Sequence, residues 1–191
     1  VLVRSHLADT QPILMNTSVP FSAEGFGRAS SLMTGERRFT SLVPTQLERL
    51  AEAVKQDDFL LGQLRSFDAV LVGGQAANPA TVGRLRELGV NVVVTYGMTE
   101  TFGGIAYNGN PLDGVDVRIK NECIELKSPS LFRSYRGLNT NDSTDGWFKT
   151  GDSGTFDQDR IRVLGRRDDM IITGGENVWP NAVEKVIATF P

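Results

Sequence analysis

The chain has 191 residues, 40% hydrophobic and 23% charged, with a formal net charge of −3. That composition suits one large folded domain or slightly more, and it excludes disorder as the main state. With 20 basic against 23 acidic residues it lacks the basic face of a sequence-independent nucleic-acid binder, and its single cysteine, Cys123, excludes a disulfide framework or a cysteine zinc cluster and fits a reducing, cytoplasmic setting.

The first 20 residues read as a strand followed by a loop. They lack the basic start and long apolar run of a signal peptide, and no stretch of the sequence reaches the roughly 18–20 apolar residues of a membrane span. There is no initiator Met, and an amphipathic run has only begun by residue 187, so both ends are expected to be cuts through a longer protein. Residues 23–33 suit a short helix and 39–43 a strand. Pro44 then opens a helix with Leu47, Leu50, Ala51 and Val54 on one face. Residues 67–72 form an apolar run that stops at Gly73-Gly74, as a strand buried on both faces does. Asn78-Pro79 starts a further helix, with Val82, Leu85 and Leu88 on one face and Gly89 as its stop. Residues 91–95 make another buried strand, ending at Tyr96-Gly97. The alternation of strand, glycine turn and helix predicts an α/β fold with a parallel sheet.

Beyond Gly104 the texture changes. Residues 115–119 and 123–127 alternate with period two, as half-exposed antiparallel strands do. Asp145-Gly146 and Gly151-Asp152 punctuate further short strands, so residues 105–164 read as a small β subdomain. Gly165-Arg166-Arg167-Asp168-Asp169 reads as a charged linker into a new unit that starts at Met170-Ile171-Ile172. Pro180 sits close to the first turn of a helix over 177–184.

Glycine is over-represented, at 20 residues against an average near 7%, and many glycines fall at strand ends beside polar side chains. Gly73-Gly74-Gln75 offers backbone a close approach to a flat ligand, or is an ordinary tight turn. In Tyr96-Gly97-Met98-Thr99-Glu100-Thr101, Tyr96 can stack on a base, Thr99 can donate to phosphate and Glu100 can hold Mg²⁺; a helix cap at Thr99 or Thr101 is the alternative. In Asp145-Gly146-Trp147-Phe148-Lys149-Thr150-Gly151-Asp152, a carboxylate after a glycine turn can accept two hydrogen bonds from a ribose diol, or is a simple turn residue. Arg166 can contact a sugar or phosphate, or is a solvated linker charge. His6, Cys123, Trp147 and Trp179 read as surface or packing residues.

Taken in order, Tyr96-Gly97-Met98-Thr99-Glu100-Thr101, Thr150-Gly151-Asp152, Gly165-Arg166-Arg167-Asp168-Asp169 and Gly174-Gly175-Glu176-Asn177 resemble the adenylate-forming superfamily of acyl-CoA synthetases. The compact spacing and Ser41-Leu42-Val43-Pro44-Thr45-Gln46-Leu47 look most like its acid–CoA ligases of menaquinone biosynthesis. The resemblance implies an ATP- and Mg²⁺-dependent ligase that activates a carboxylic acid, an aromatic dicarboxylate of the succinylbenzoate type, as acyl-AMP and passes it to CoA. Another acyl- or aryl-CoA synthetase, or a non-catalytic nucleotide-binding module, stays open. It implies that residues 1–104 are the α/β core portion of a large adenylation domain, 105–164 its β subdomain, and 165–191 the hinge and start of an α+β C-terminal lid. Gly73, Gly74, Gln75, Tyr96 and Gly97 would then line the adenine slot. Thr99 would bind the α-phosphate, Glu100 the Mg²⁺, and Asp152 the ribose with Arg166 helping. Asp168 would be the hinge, and Gly174 and Gly175 would line the CoA channel.

The family's lysine-bearing phosphate loop and its C-terminal lysine have no counterpart in this sequence. Adenylation by the chain alone is therefore expected to be negligible, since loss of one transition-state donor costs about 10²–10³-fold. The family's usual Gly-Glu-Ile strand opening is here Asn121-Glu122-Cys123-Ile124, and Ser153-Gly154 follows Asp152 where an apolar residue is usual; both are expected to be structural changes. A homo-oligomer is compatible with the sequence, which does not fix the oligomeric state.

Overall fold

The computed structural model describes residues 2–137, 143–174 and 176–187. The chain divides into two compact units, one of Val1–Val72 and Ala77–Val93, the other of Gly73–Ala76 and Val94–Pro191. Among the described residues, no helix is long and apolar enough to cross a membrane.

The first unit opens on a short helix, α1 (Leu2–Leu7), where a strand was expected. The segment closes on itself, with Thr10 N donating to Ser5 O at 2.9 Å, so local helical bonds replace those a partner strand would have to supply. Then follow α2 (Ala23–Ser31), β1 (Phe39–Leu42), α3 (Pro44–Ala53), α4 (Asp58–Arg65), β2 (Ala69–Val72) and α5 (Pro79–Glu87). Each main helix has a local start signal. Ser22 Oγ accepts from Gly25 N at 3.1 Å in α2, and Gln46 Oε1 from Val43 N at 3.1 Å in α3. Asp57 Oδ1 accepts from Leu60 N at 2.9 Å in α4, and Asn78 Oδ1 from Ala80 N at 3.0 Å in α5. These groups satisfy donors that a helix start leaves unpaired.

Arginines serve the other ends. Arg84 Nη2 donates to Ala51 O at 2.8 Å, and Arg65 Nε to Leu88 O at 2.6 Å, placing positive charge where helix carbonyls are unsatisfied. Helix α4 was not expected; it is eight residues long and has Gly62 in its middle, so its pattern is weak. It nonetheless buries Leu60 and Leu64 completely. Strands β1 and β2 pair in parallel, Phe39 beside Ala69 through Leu42 beside Val72.

Strand β3 (Val92–Met98) runs from the first unit into the second. A single 3₁₀ turn (Thr99–Thr101) follows, and then β4 (Gly103–Tyr107), β5 (Asn110–Pro111), β6 (Asp116–Lys120), β7 (Cys123–Lys127), β8 (Ser143–Thr144), β9 (Trp147–Asp157) and β10 (Arg160–Arg166). The last elements are β11 (Ile171–Thr173), β12 (Glu176–Val178) and α6 (Pro180–Ile187). In the second unit β3, β4 and β5 pair antiparallel, and so do β10, β9, β7 and β6, in that order. Ile105, Ala106, Ile124, Leu126 and Ile161 form its apolar core.

Four hairpins here use two-residue turns with both central residues at positive φ: Asn108-Gly109, Asn121-Glu122, Asp145-Gly146 and Gln158-Asp159. Such turns match the twist of the flanking strands. Asn121-Glu122 is thus the turn that the altered strand opening builds. Gly154 has an equally local reason, because a Cβ there would stand 2.6 Å from the Ile124 side chain.

Three expectations change in this unit. Residues 123–127 are not half-exposed, since the first four positions of β7 are all buried. Glu125 is among them at 2% exposure, held by Arg118 at 2.6 Å from Nε and 2.5 Å from Nη2. The Arg118 guanidinium in turn lies 4.2 Å from the centroid of the Trp147 ring. Gly151-Asp152 is not a turn between strands but part of the eleven-residue β9. Gly165 and Arg166 are not linker residues but the end of β10, where Arg166 pairs with Asp152.

Candidate functional site

Three ladder irregularities shape one region of the second unit. Between the pairs Cys123–Ser153 and Glu125–Lys149, β7 contributes only Ile124 while β9 contributes Thr150, Gly151 and Asp152. The surplus makes β9 bulge, with Gly151 at φ +75°. Thr150 repairs the gap: its buried hydroxyl donates to Ile124 O at 2.9 Å and accepts from Asp152 N at 3.0 Å. A second shift lies in β10, where Leu164 is extra between Val163 and Gly165, and a third in β4, where Ile105 is extra opposite Tyr96 and Gly97. Bulges turn side chains out of the regular alternation, and here they lie beside Asp152, Arg166 and Tyr96.

Those three side chains meet. The Tyr96 hydroxyl donates to Asp152 Oδ2 at 2.7 Å, and Arg166 Nη1 stands 3.5 Å from Asp152 Oδ1. Arg166 also donates to Thr150 O at 3.3 Å, and Arg167 N to Gly151 O at 2.9 Å, so the bulge is gripped from β10. A Cβ on Gly151 would lie 3.4 Å from Arg166 Nη2.

Burial pushes the Asp152 carboxyl above its ordinary value of 3.8, and nearby Glu100 adds to the rise; the Tyr96 hydrogen bond and the Arg166 charge oppose it. Burial, reinforced by Asp152, drives the Tyr96 phenol far upward, so it stays a donor. Sequence reasoning gave Tyr96 a stacking role only. Its hydroxyl is a further part of the site, and the partner that reveals this is 56 positions away.

Two turns flank the cluster. Gly73 backs onto the residue before Tyr96, because a Cβ there would collide with Thr95 Oγ1. Gly74 takes φ +86° with open space where a Cβ would stand, and Gln75 is exposed. A side chain at Gly97 would collide with Gly103 O, so that position requires glycine for close strand approach. In the 3₁₀ turn Thr101 is the structural pin: it is buried, accepts from Met98 N at 3.0 Å and donates to Gly103 O at 2.7 Å. Thr99 is exposed and Glu100 half-buried. Tyr135, which the sequence reading did not single out, donates to Glu100 Oε1 at 2.9 Å.

Asp168 is 88% exposed, with Oδ2 4.0 Å from Arg166 Nη2. Gly174, at φ +59°, sits in the β11–β12 turn, and among the described residues no bond joins it to the Tyr96 cluster. Gly175 lies outside the described residues. Also among the described residues, no three His, Cys, Asp or Glu side chains gather as a metal cage. A lone, accessible carboxylate suits Mg²⁺ instead, which keeps waters and binds through one or two carboxylates together with substrate phosphates.

Residues 33–124 match the family described as AMP-binding enzyme. A Mycobacterium tuberculosis protein named "Probable 2-succinylbenzoate–CoA ligase" is 39% identical over 197 residues, covering 100% of this chain and 50% of that protein. Among solved structures, unliganded O-succinylbenzoate coenzyme A synthetase from Bacillus subtilis matches with a TM-score of 0.82 at 28% identity, over 100% of this chain and 45% of that one. The Bacillus subtilis synthetase in complex with ATP and magnesium ion matches at 0.76 and 30%, over 88% and 39%. The chain thus spans about half the length of the curated relatives it matches first.

Proposed function

We propose that the chain belongs to the AMP-binding enzyme family, whose pattern its residues 33–124 match, and that it serves an ATP-dependent acid–CoA ligase. The reaction is 2-succinylbenzoate, ATP and CoA to 2-succinylbenzoyl-CoA, AMP and diphosphate through an acyl-adenylate, in the cytoplasmic synthesis of menaquinone. The observation that carries this reading is the Asp152 carboxylate, buried yet built for ligand. A carboxylate offers about four acceptor sites. Tyr96 uses one and Arg166 sits beside another, which leaves acceptors for the two hydroxyls of a ribose.

Tyr96, Gly97 and the turn of Gly73, Gly74 and Gln75 form the adenine slot, and Thr99 meets the α-phosphate. Glu100 holds Mg²⁺, which when bound offsets negative charge on phosphate oxygens as the acid attacks. Arg166 keeps Asp152 charged and oriented. Asp168 is the hinge on which the residues that follow it turn between the two half-reactions, and Gly174 lines the thiol channel. Residues 1–104 and 105–164 are the core portion and β subdomain of one adenylation domain. A homo-oligomer is compatible with these roles.

The test is diphosphate release by the complete reading frame that contains this chain. Release with 2-succinylbenzoate, but not with fatty or amino acids, is expected, together with strong loss in Asp152→Ala and Glu100→Gln. Release with those other acids alone would reject the substrate. Wild-type rates in both variants would reject the site.

A further inference from the structure

Glu100 has a weak foundation of its own. It sits in a single 3₁₀ turn of three residues, too short to hold a side chain by helical packing. Residues 128–136 supply what the turn lacks. Phe132 N donates to the Glu100 main-chain oxygen at 2.8 Å, and the Tyr135 hydroxyl to its Oε1 at 2.9 Å. The same residue is therefore gripped through its backbone and through its carboxylate.

The grip is itself anchored. The Phe132 ring lies 4.7 Å from the Tyr135 ring and meets the buried Phe148 ring edge-on at 5.4 Å. Leu131 N donates to Ser128 O at 3.2 Å, closing the turn that leads in. Phe148 belongs to β9, the strand that bulges at Asp152. One strand thus supports both the carboxylate proposed for ribose and, through the Phe132–Tyr135 pair, the carboxylate proposed for the cation.

We propose that Tyr135 is a positioning residue for Glu100, orienting its carboxylate for a magnesium–nucleotide ligand before that ligand arrives. The proposal rests on the reading of Glu100 as the magnesium carboxylate. Freezing a glutamate side chain costs rotamer entropy, and a site that meets this cost in advance binds more tightly. Tyr135 engages Oε1, and among the described residues no hydrogen bond donated to Glu100 reaches Oε2, which leaves that oxygen for a cation. A phenol suits the task because it donates to a carboxylate without adding a charge that would compete with Mg²⁺.

The experiment uses the complete reading frame and compares calorimetric affinity for ATP with Mg²⁺, for ATP in EDTA and for AMP. Tyr135→Phe keeps the ring and its contact with Phe132, so the fold is retained; the melting temperature checks this. The expected result is a loss of about 3- to 10-fold for ATP with Mg²⁺, the worth of one hydrogen bond, and no change for ATP in EDTA or for AMP. In Glu100→Gln the magnesium-dependent gain disappears, and adding Tyr135→Phe changes nothing further. An equal loss for all three ligands would reduce Tyr135 to a packing residue and overturn the proposal, as would unchanged affinity for ATP with Mg²⁺ while Glu100→Gln is defective. A magnesium-dependent gain that survives Glu100→Gln would overturn the underlying reading of Glu100 instead.

Discussion

The two units are built on different logic. In the first, helices α2, α3, α4 and α5 each start on a cap two or three residues from the group it satisfies, and leucines at helical spacing fill the core. In the second, long-range strand pairing dominates, tight hairpins set the register, and bulges in β4, β9 and β10 depart from it. Every described candidate residue, from Gly73 to Gly174, lies in the second unit. Regular packing suits a scaffold, whereas a ladder that breaks register can aim a carboxylate such as Asp152 where regular alternation would not.

Substitutions that strike each logic separately can break this contrast. The largest effect is expected in the first unit: Leu64→Ala, at a fully buried position, should lower stability by about 2–5 kcal/mol in urea unfolding. The counterpart in the second unit is electrostatic. Arg118→Ala leaves Glu125 buried without its cation, and a loss of about 2–3 kcal/mol is expected, below the range for fully buried pairs because Arg118 is partly exposed. A change under 0.5 kcal/mol would show that the pair is incidental.

Next in size is a binding effect. Asp152→Ala should weaken AMP binding by about 10- to 100-fold, the range for hydrogen bonds to a charged group, and calorimetry reads it directly. Wild-type AMP affinity should also be full at neutral pH and fall on acidification, beginning above the ordinary aspartate value of 3.8 because burial raises this carboxyl. Stability carries the opposite sign. The folded state binds this proton more tightly than the unfolded chain, so Asp152 costs stability above its raised pKa. That cost is relieved as pH falls through the raised value toward 3.8. A titration of AMP affinity that breaks at or below 3.8 would contradict the burial argument.

The smallest effect should be a gain. Asp159 sits at φ +64° in the β9–β10 turn, and Asp159→Gly should stabilise the protein by no more than about 1 kcal/mol, the relief of left-handed strain less the extra chain entropy of glycine. Thermal unfolding reads it, and a clear loss would mean that the Asp159 side chain is needed.

Legibility in the sequence follows the same division. Pro44 and Asn78-Pro79 announce α3 and α5 because a helix start is decided within four residues. Helix α4 escaped because Gly62 weakens its pattern, and only packing on Leu60 and Leu64 makes it persist. The second unit misled where local signals resemble others. Gly151-Asp152 reads as a turn, yet it is a bulge inside β9, a distinction that depends on how many residues β7 places opposite. Glu125 reads as the exposed member of an alternation, yet Arg118 pays for its burial from the neighbouring strand. Tyr135 escaped because a phenol two residues after an arginine carries no signal until Glu100 is known to lie against it.

By itself, then, the sequence determined the α/β character, the starts of α3 and α5, the residue types of the site and their order, because these rest on periodicity, capping and side-chain chemistry close along the chain. The tertiary structure decided the partnerships: Tyr96 with Asp152, Thr150 with Ile124, Arg166 with the β9 bulge and Tyr135 with Glu100. Each joins residues 16 to 56 positions apart; strand register, a collective property of the whole sheet, brings the first three into reach, and the packing of Phe132 on Tyr135 and Phe148 the fourth.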